Sequence, residues 1–212
     1  GDILLSVGSG SSGTGGNVAA ISGQSTAASG GSISVTSGAS VPKSSGSIVL
    51  VTRDAGTSGV SGDVRFTSGT SSSGASGRIN FASGNSAGGR SGSINAVAAR
   101  SATDTGGDVV VKGGSSAVNM GGAVSLSSGL STQKSTGRIR MRSVNAGGSG
   151  VSGELSFSSG AATSGTSGHI ALASGDAVGG KGGDILLSVG SGSSGTGGNV
   201  TAISGQSTAA SG

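Results

Sequence analysis

A few residues in this chain have the types and spacing that chemistry uses. Gly175-Asp176-Ala177-Val178-Gly179-Gly180-Lys181 has the outline of a phosphate-binding loop. Such a loop cradles phosphate oxygens with backbone amides and reaches the terminal phosphate with its lysine. Gly182 stands where a Ser or Thr hydroxyl would hold Mg²⁺, and the residues that follow carry no helical pattern. The overlapping run from Gly179 to Leu186 fits the GGxGxD-plus-aliphatic turn of calcium-binding rolls. It occurs once rather than in tandem, and Lys181 places a positive charge at the turn itself. Gly8, Gly10 and Gly13 spell GxGxxG, but in a chain with 48 glycines among 212 residues about two such matches arise by chance. The expectation is therefore no cofactor and no metal.

Acid, base and nucleophile chemistry lacks its parts. His169 is the only histidine, and there is no cysteine. The eight carboxylates (Asp2, Asp54, Asp63, Asp104, Asp108, Glu154, Asp176 and Asp184) form no paired-acid site. An enzyme is not expected. The sharpest charged feature is Arg138, Arg140 and Arg142 at alternate positions. In an extended chain they share one face, which suits an anionic polymer such as an anionic polysaccharide, or a lateral neighbour; the plainer role is a charged edge that discourages aggregation. A net charge of +4 with no interleaved aromatics argues against nucleic acid. Asn199-Val200-Thr201 is an N-glycosylation sequon, making Asn199 a candidate glycan site.

The elements that would position these residues come from a repeat. Residues 183–212 repeat residues 1–30 with one change, Ala19 to Thr201, giving a period of 182 residues. Beneath it the chain divides into fourteen units, starting at Gly1, Gly16, Gly31, Gly46, Gly62, Gly77, Gly92, Gly107, Gly122, Gly137, Gly153, Gly168, Gly183 and Gly198. Twelve have 15 residues; those at Gly46 and Gly137 have 16. The two long units lie six units apart and expose a middle period of 91 residues. The expected organisation is two six-unit halves, 1–91 and 92–182, with 183–212 opening the next cycle. Because the first and last units carry no distinct cap, the array is expected to continue.

Each unit reads approximately G-x-Φ-x-Φ-x-S-G-x-S, with Φ apolar, followed by a small polar return. Position 3 is aliphatic in all fourteen units, and position 5 collects all three phenylalanines, Phe66, Phe81 and Phe157. Period-two alternation with β-branched residues predicts a strand with one buried face. Repeated Gly argues against a helix. The expected fold is all-β: a parallel β-solenoid (β-helix) with 15-residue rungs, 12 rungs per 182-residue repeat. Its expected core includes Ile3, Ile33, Ile48, Phe66, Ile79, Phe81, Ile139, Phe157 and Ile170. Leu4, Val49, Val51 and Val110 would then face outward and offer lateral contacts.

Composition supports a repetitive class. Gly and Ser together make 97 of the 212 residues, 9% are charged and 1% aromatic, which departs widely from a globular enzyme. Zero cysteines exclude a disulfide scaffold, and the lack of a Gly-x-y period excludes collagen. No apolar run reaches the length of a membrane span. A unit of the form G-x-[IV]-x-[LFA]-x-S-G-x-S, carried through all 212 residues, resembles the Gly/Ser-rich β-solenoid repeats of large secreted proteins in algae, other protists and bacteria. The resemblance implies an extracellular or cell-surface fibre, surface hair or adhesin stalk. The function expected is a structural protein forming a fibre or filament, with itself as partner end to end and side by side. The alternative is a binding module, an adhesin stalk or an ice-binding solenoid.

Overall fold

The computed structural model of the protein describes residues 1–207. Among them there is no helix and no strand. This corrects the all-β expectation: the chain is not a parallel β-solenoid, because neighbouring units do not exchange the backbone hydrogen bonds that a ladder requires. The alternation of apolar residues was real, but a strand is defined by its partner. Two apolar side chains per fifteen residues supply little burial to hold partners together.

The repeat nevertheless governs the backbone. In every unit that starts from Gly1 to Gly183 the chain bends once, and the bend falls at positions 11–13 in the 15-residue units, as at 26–28, 87–89 and 132–134. In the two long units it falls one place later, at 57–59 and at 148–149. The extra residue is thus taken up before the bend. Gly74, Gly165 and Gly195 close their bends with φ of +122°, +112° and +83°, a conformation that a Cβ would oppose.

A second device acts where one unit passes to the next. At six of the thirteen junctions the N–H of the opening glycine donates to the carbonyl of position 8 in the preceding unit: Gly31 to Gly23 at 2.9 Å, Gly46 to Gly38 at 2.9 Å, Gly122 to Gly114 at 2.8 Å and Gly137 to Gly129 at 3.0 Å. Gly107 does the same to Ala99 at 3.2 Å and Gly16 to Gly8 at 3.5 Å. Each bond closes a local loop around a bend. The opening glycine also lies close to the preceding unit. A Cβ there would meet the position-7 residue, as at Gly77 against Ser68, Gly107 against Ala98 and Gly183 against Ser174, at 3.4, 3.3 and 3.3 Å.

The structure resolves into two parts, Gly1–Val109 and Val110–Gly212. In the first, Phe66 and Phe81 meet edge to face with ring centroids 6.1 Å apart. Both occupy position 5 of successive units, so these two units are aligned in register. In the second, the most regular feature is the loop closure at Gly122 and Gly137. Of the expected segment 183–212, residues 208–212 lie outside the described residues.

No described residue is buried. The accessible surface is 20994 Å² for 19.2 kDa. A folded globule of that mass would expose about 8,400 Å² and an extended chain about 28,000 Å². The nine expected core residues therefore do not form a core; Ile79 is 46% exposed and Phe81 66%. The column pattern survives in weaker form. Position 3 runs from 46% to 65% exposed between Val18 and Val200, but Ile3 is 100% exposed, and outward Val110 at 68% is no more open than Leu50 of position 5 at 68%; only Leu4, Ile21, Leu186 and Ile203 stand out at 86–88%. The more shielded residues are small ones at the junctions and bends: Ser37, Thr52 and Ala98 at position 7, Ser101 and Ser131 at position 10.

Candidate interaction surface

Position 10 explains why serine recurs there. Its Oγ accepts the backbone N–H three residues on, across the bend: Ser25 from Ala28 at 2.9 Å, Ser40 from Lys43 at 3.3 Å and Ser86 from Gly89 at 3.0 Å. Ser101 accepts from Asp104 at 3.0 Å, Ser116 from Asn119 at 2.9 Å and Ser131 from Lys134 at 2.9 Å. A serine hydroxyl that mimics a turn carbonyl is a local device and needs no tertiary partner. In the sequence the signal for it was the serine that recurs at position 10 of the unit.

The bends and junctions set the frame for the charged residues. Arg138, Arg140 and Arg142 follow directly on the Gly137 junction, and all three are exposed. No ion pair reaches any of them among the described residues. The ion pairs present lie elsewhere: Arg65 with Asp63 at 3.7 Å and Lys181 with Asp184 at 2.9 Å. Asp63 thus pairs within its own unit.

Charge is unevenly distributed. From Val109 to Gly153 the chain carries Lys112, Lys134, Arg138, Arg140 and Arg142 and no acid. These are five of twelve cations and none of eight carboxylates, so this stretch holds +5 and the rest of the chain −1. The whole net positive charge resides here.

The other candidates are dispersed. Among the described residues there is no pocket and no group of three or more potential metal ligands. In the would-be calcium turn the Lys181 ammonium donates to Asp184 Oδ2. The remaining parts of that turn, Gly179 and Gly180, sit in the bend at 178–180. His169 is exposed at position 2 of its unit. Asn199 and Thr201 are both exposed, so the sequon is sterically open. Among the described residues no helix is long and apolar enough to cross a membrane.

The position-3 side chains are open to solvent in each part of the chain. Ile33, Ile48, Ile139 and Ile170 stand at the same position of their units and stay about half-exposed, with no interior to receive them. No protein-family model matches the chain, and neither the curated proteins nor the solved structures contain a match to it.

Proposed function

We propose that the chain is a structural protein that forms an extracellular fibre or filament by association of copies along their apolar columns. The observation that carries this reading is the return of one junction thirteen times. Each opening glycine from Gly16 to Gly198 lies against position 7 or 8 of the unit before it. A protein built around a reaction distinguishes one place in its chain; this one repeats the same place. Its apolar side chains are spaced by the same period, so a second copy presents a matching set. Apolar side chains that recur exposed at one period favour association once copies align them into a shared face, and small contacts repeated along a chain add through avidity. The role is mechanical rather than catalytic, and the site of action is outside the cell or at its surface, as the resemblance to secreted Gly/Ser-rich repeats implies.

The test is light scattering of residues 1–212 across a concentration series, with electron microscopy of the same samples. Concentration-dependent filaments are expected. A monomer that stays soluble at high concentration, with no filament in the images, overturns the reading.

A further inference from the structure

We infer that residues 134–142 form a binding ridge for an anionic polysaccharide, whose sulfate or carboxylate groups are held by the guanidinium forks of Arg138, Arg140 and Arg142, with Lys134 adding charge at the bend before them. This assignment stands apart from self-association, since it needs only the single chain.

Four observations converge. The three arginines are exposed and carry no ion pair among the described residues. They sit in a stretch without a single acid, from Val109 to Gly153, so no internal carboxylate competes for them. The equivalent unit 91 residues earlier places Ser47, Val49 and Val51 at the same three positions while keeping Ile48 and Leu50 opposite Ile139 and Met141. The repeat therefore tolerates neutral residues there, and the cations are not required by the fold. All three are arginine, whose planar fork grips an oxyanion by two parallel hydrogen bonds, where lysine would act as a point charge.

The sequence around the arginines disfavours other partners for them. A second copy of the chain offers no acidic ridge of matching spacing: the closest carboxylates in sequence are Asp104 and Asp108, and no three acids recur at alternate positions. Single-stranded nucleic acid binds through aromatic platforms as well as charge, and no aromatic residue lies between Phe81 and Phe157. A charged polysaccharide needs neither acidic complement nor stacking, only regularly placed exposed cations. Clusters of Arg and Lys over five to eight residues act as such patches.

The experiment measures binding of the full chain to dextran sulfate and to polygalacturonate at low salt, with single-stranded DNA of equal charge as comparison. Arg138→Ser with Arg140→Val and Arg142→Val gives the ridge the residues of its counterpart. Affinity is expected to fall about 100-fold, from loss of three surface cations. A control, Arg78→Gln with Arg90→Gln and Arg100→Gln, removes the same charge elsewhere and is expected to change affinity less than about threefold. Replacing all three ridge arginines by lysine separates fork from charge, with an intermediate loss expected. The preference between the sulfated and the carboxylated polymer identifies the acceptor group. The inference is overturned if neither polysaccharide binds, if the control loses as much as the ridge variant, or if DNA binds as tightly as the better polysaccharide. Each readout is independent of filament formation, because binding is measured below the concentration at which scattering rises.

Discussion

The segments 46–61 and 137–152 are the two long units of the repeat, six units apart. Both keep an opening Gly, an aliphatic at position 3, an apolar residue at position 5 and the ending Ser-Gly-Val-Ser. Both bend one place late. They enter through the same loop closure, Gly46 to Gly38 and Gly137 to Gly129. Ile48 and Ile139 are even equally exposed, at 51% and 49%. What differs is the other row of side chains: Ser47, Val49 and Val51 in one, Arg138, Arg140 and Arg142 in the other. The junction survives this exchange, while the bends differ: Gly150 donates to the Gly147 carbonyl at 3.3 Å, whereas Gly59 takes a φ of +137°. Local contacts made by Gly and Ser set the shape, and the alternate row is left free to set chemistry.

Moving the row has the largest expected effect. Ser47→Arg with Val49→Arg and Val51→Arg should create a second ridge in the first part of the chain. Binding to a long sulfated polymer should then tighten about tenfold or more by avidity, seen as a shift of the binding isotherm. The isotherm for a polymer too short to reach both ridges should change only in stoichiometry. An unchanged isotherm with the long polymer would mean that the two segments differ in shape as well as charge.

A smaller effect is expected in the units that follow. Phe66 and Phe81 correspond across the 91-residue period to Phe157 and Leu172. Phe81→Leu therefore converts the first pair into the second. The edge-to-face contact is worth about 0.5–1.5 kcal/mol beyond its area when sheltered, and less here because both rings are more than half exposed. The measurement is the ring-to-ring nuclear Overhauser contact between Phe66 and Phe81. It should disappear without altering amide shifts at the Gly46 junction. If those shifts move too, register is propagated through the column rather than set at each junction.

The smallest effect separates the bends that precede the two long units. Ser131 accepts from Lys134 at 2.9 Å, whereas Ser40 accepts from Lys43 at 3.3 Å. Removing one such exposed bond costs roughly 0.5 kcal/mol. Ser131→Ala should accelerate amide exchange at Lys134 about twofold, and Ser40→Ala should accelerate Lys43 by less. Equal acceleration would show that the two bends are energetically alike despite the difference in length.

How much of this could be read from the sequence depends on the range of the forces involved. The period, the unit boundaries and the one-residue insertion were legible because they rest on residues acting within a few places of themselves. A Cβ on Gly107 would crowd Ala98 at 3.3 Å, and the Ser86 hydroxyl accepts the Gly89 N–H across its bend. The sheet was not legible in the same way. Ile79, Asn80 and Phe81 alternate as a strand does, but alternation reports only which side of the chain is apolar. Whether that side finds an interior depends on distant surface, and a chain that is nearly half Gly and Ser has little to offer. The charged ridge was visible as three arginines. Its isolation from every acid emerged only when charge was followed along the whole chain.

The closed loops have a mechanical meaning. Between Gly23 and Gly31 eight residues of chain return to a gap of a single 2.9 Å hydrogen bond. Fully extended, the same eight residues would span about 27 Å. Each loop therefore hides slack behind a latch with no buried apolar surface to reinforce it. Under tension such latches would open singly, each paying out some 20 Å of contour while its neighbours stay shut, and would re-form when the load is released. A force–extension trace would show them as a long, shallow, reversible rise rather than one abrupt rupture. The protein would then yield early and by small steps, behaving less as a rigid strut than as a shock absorber.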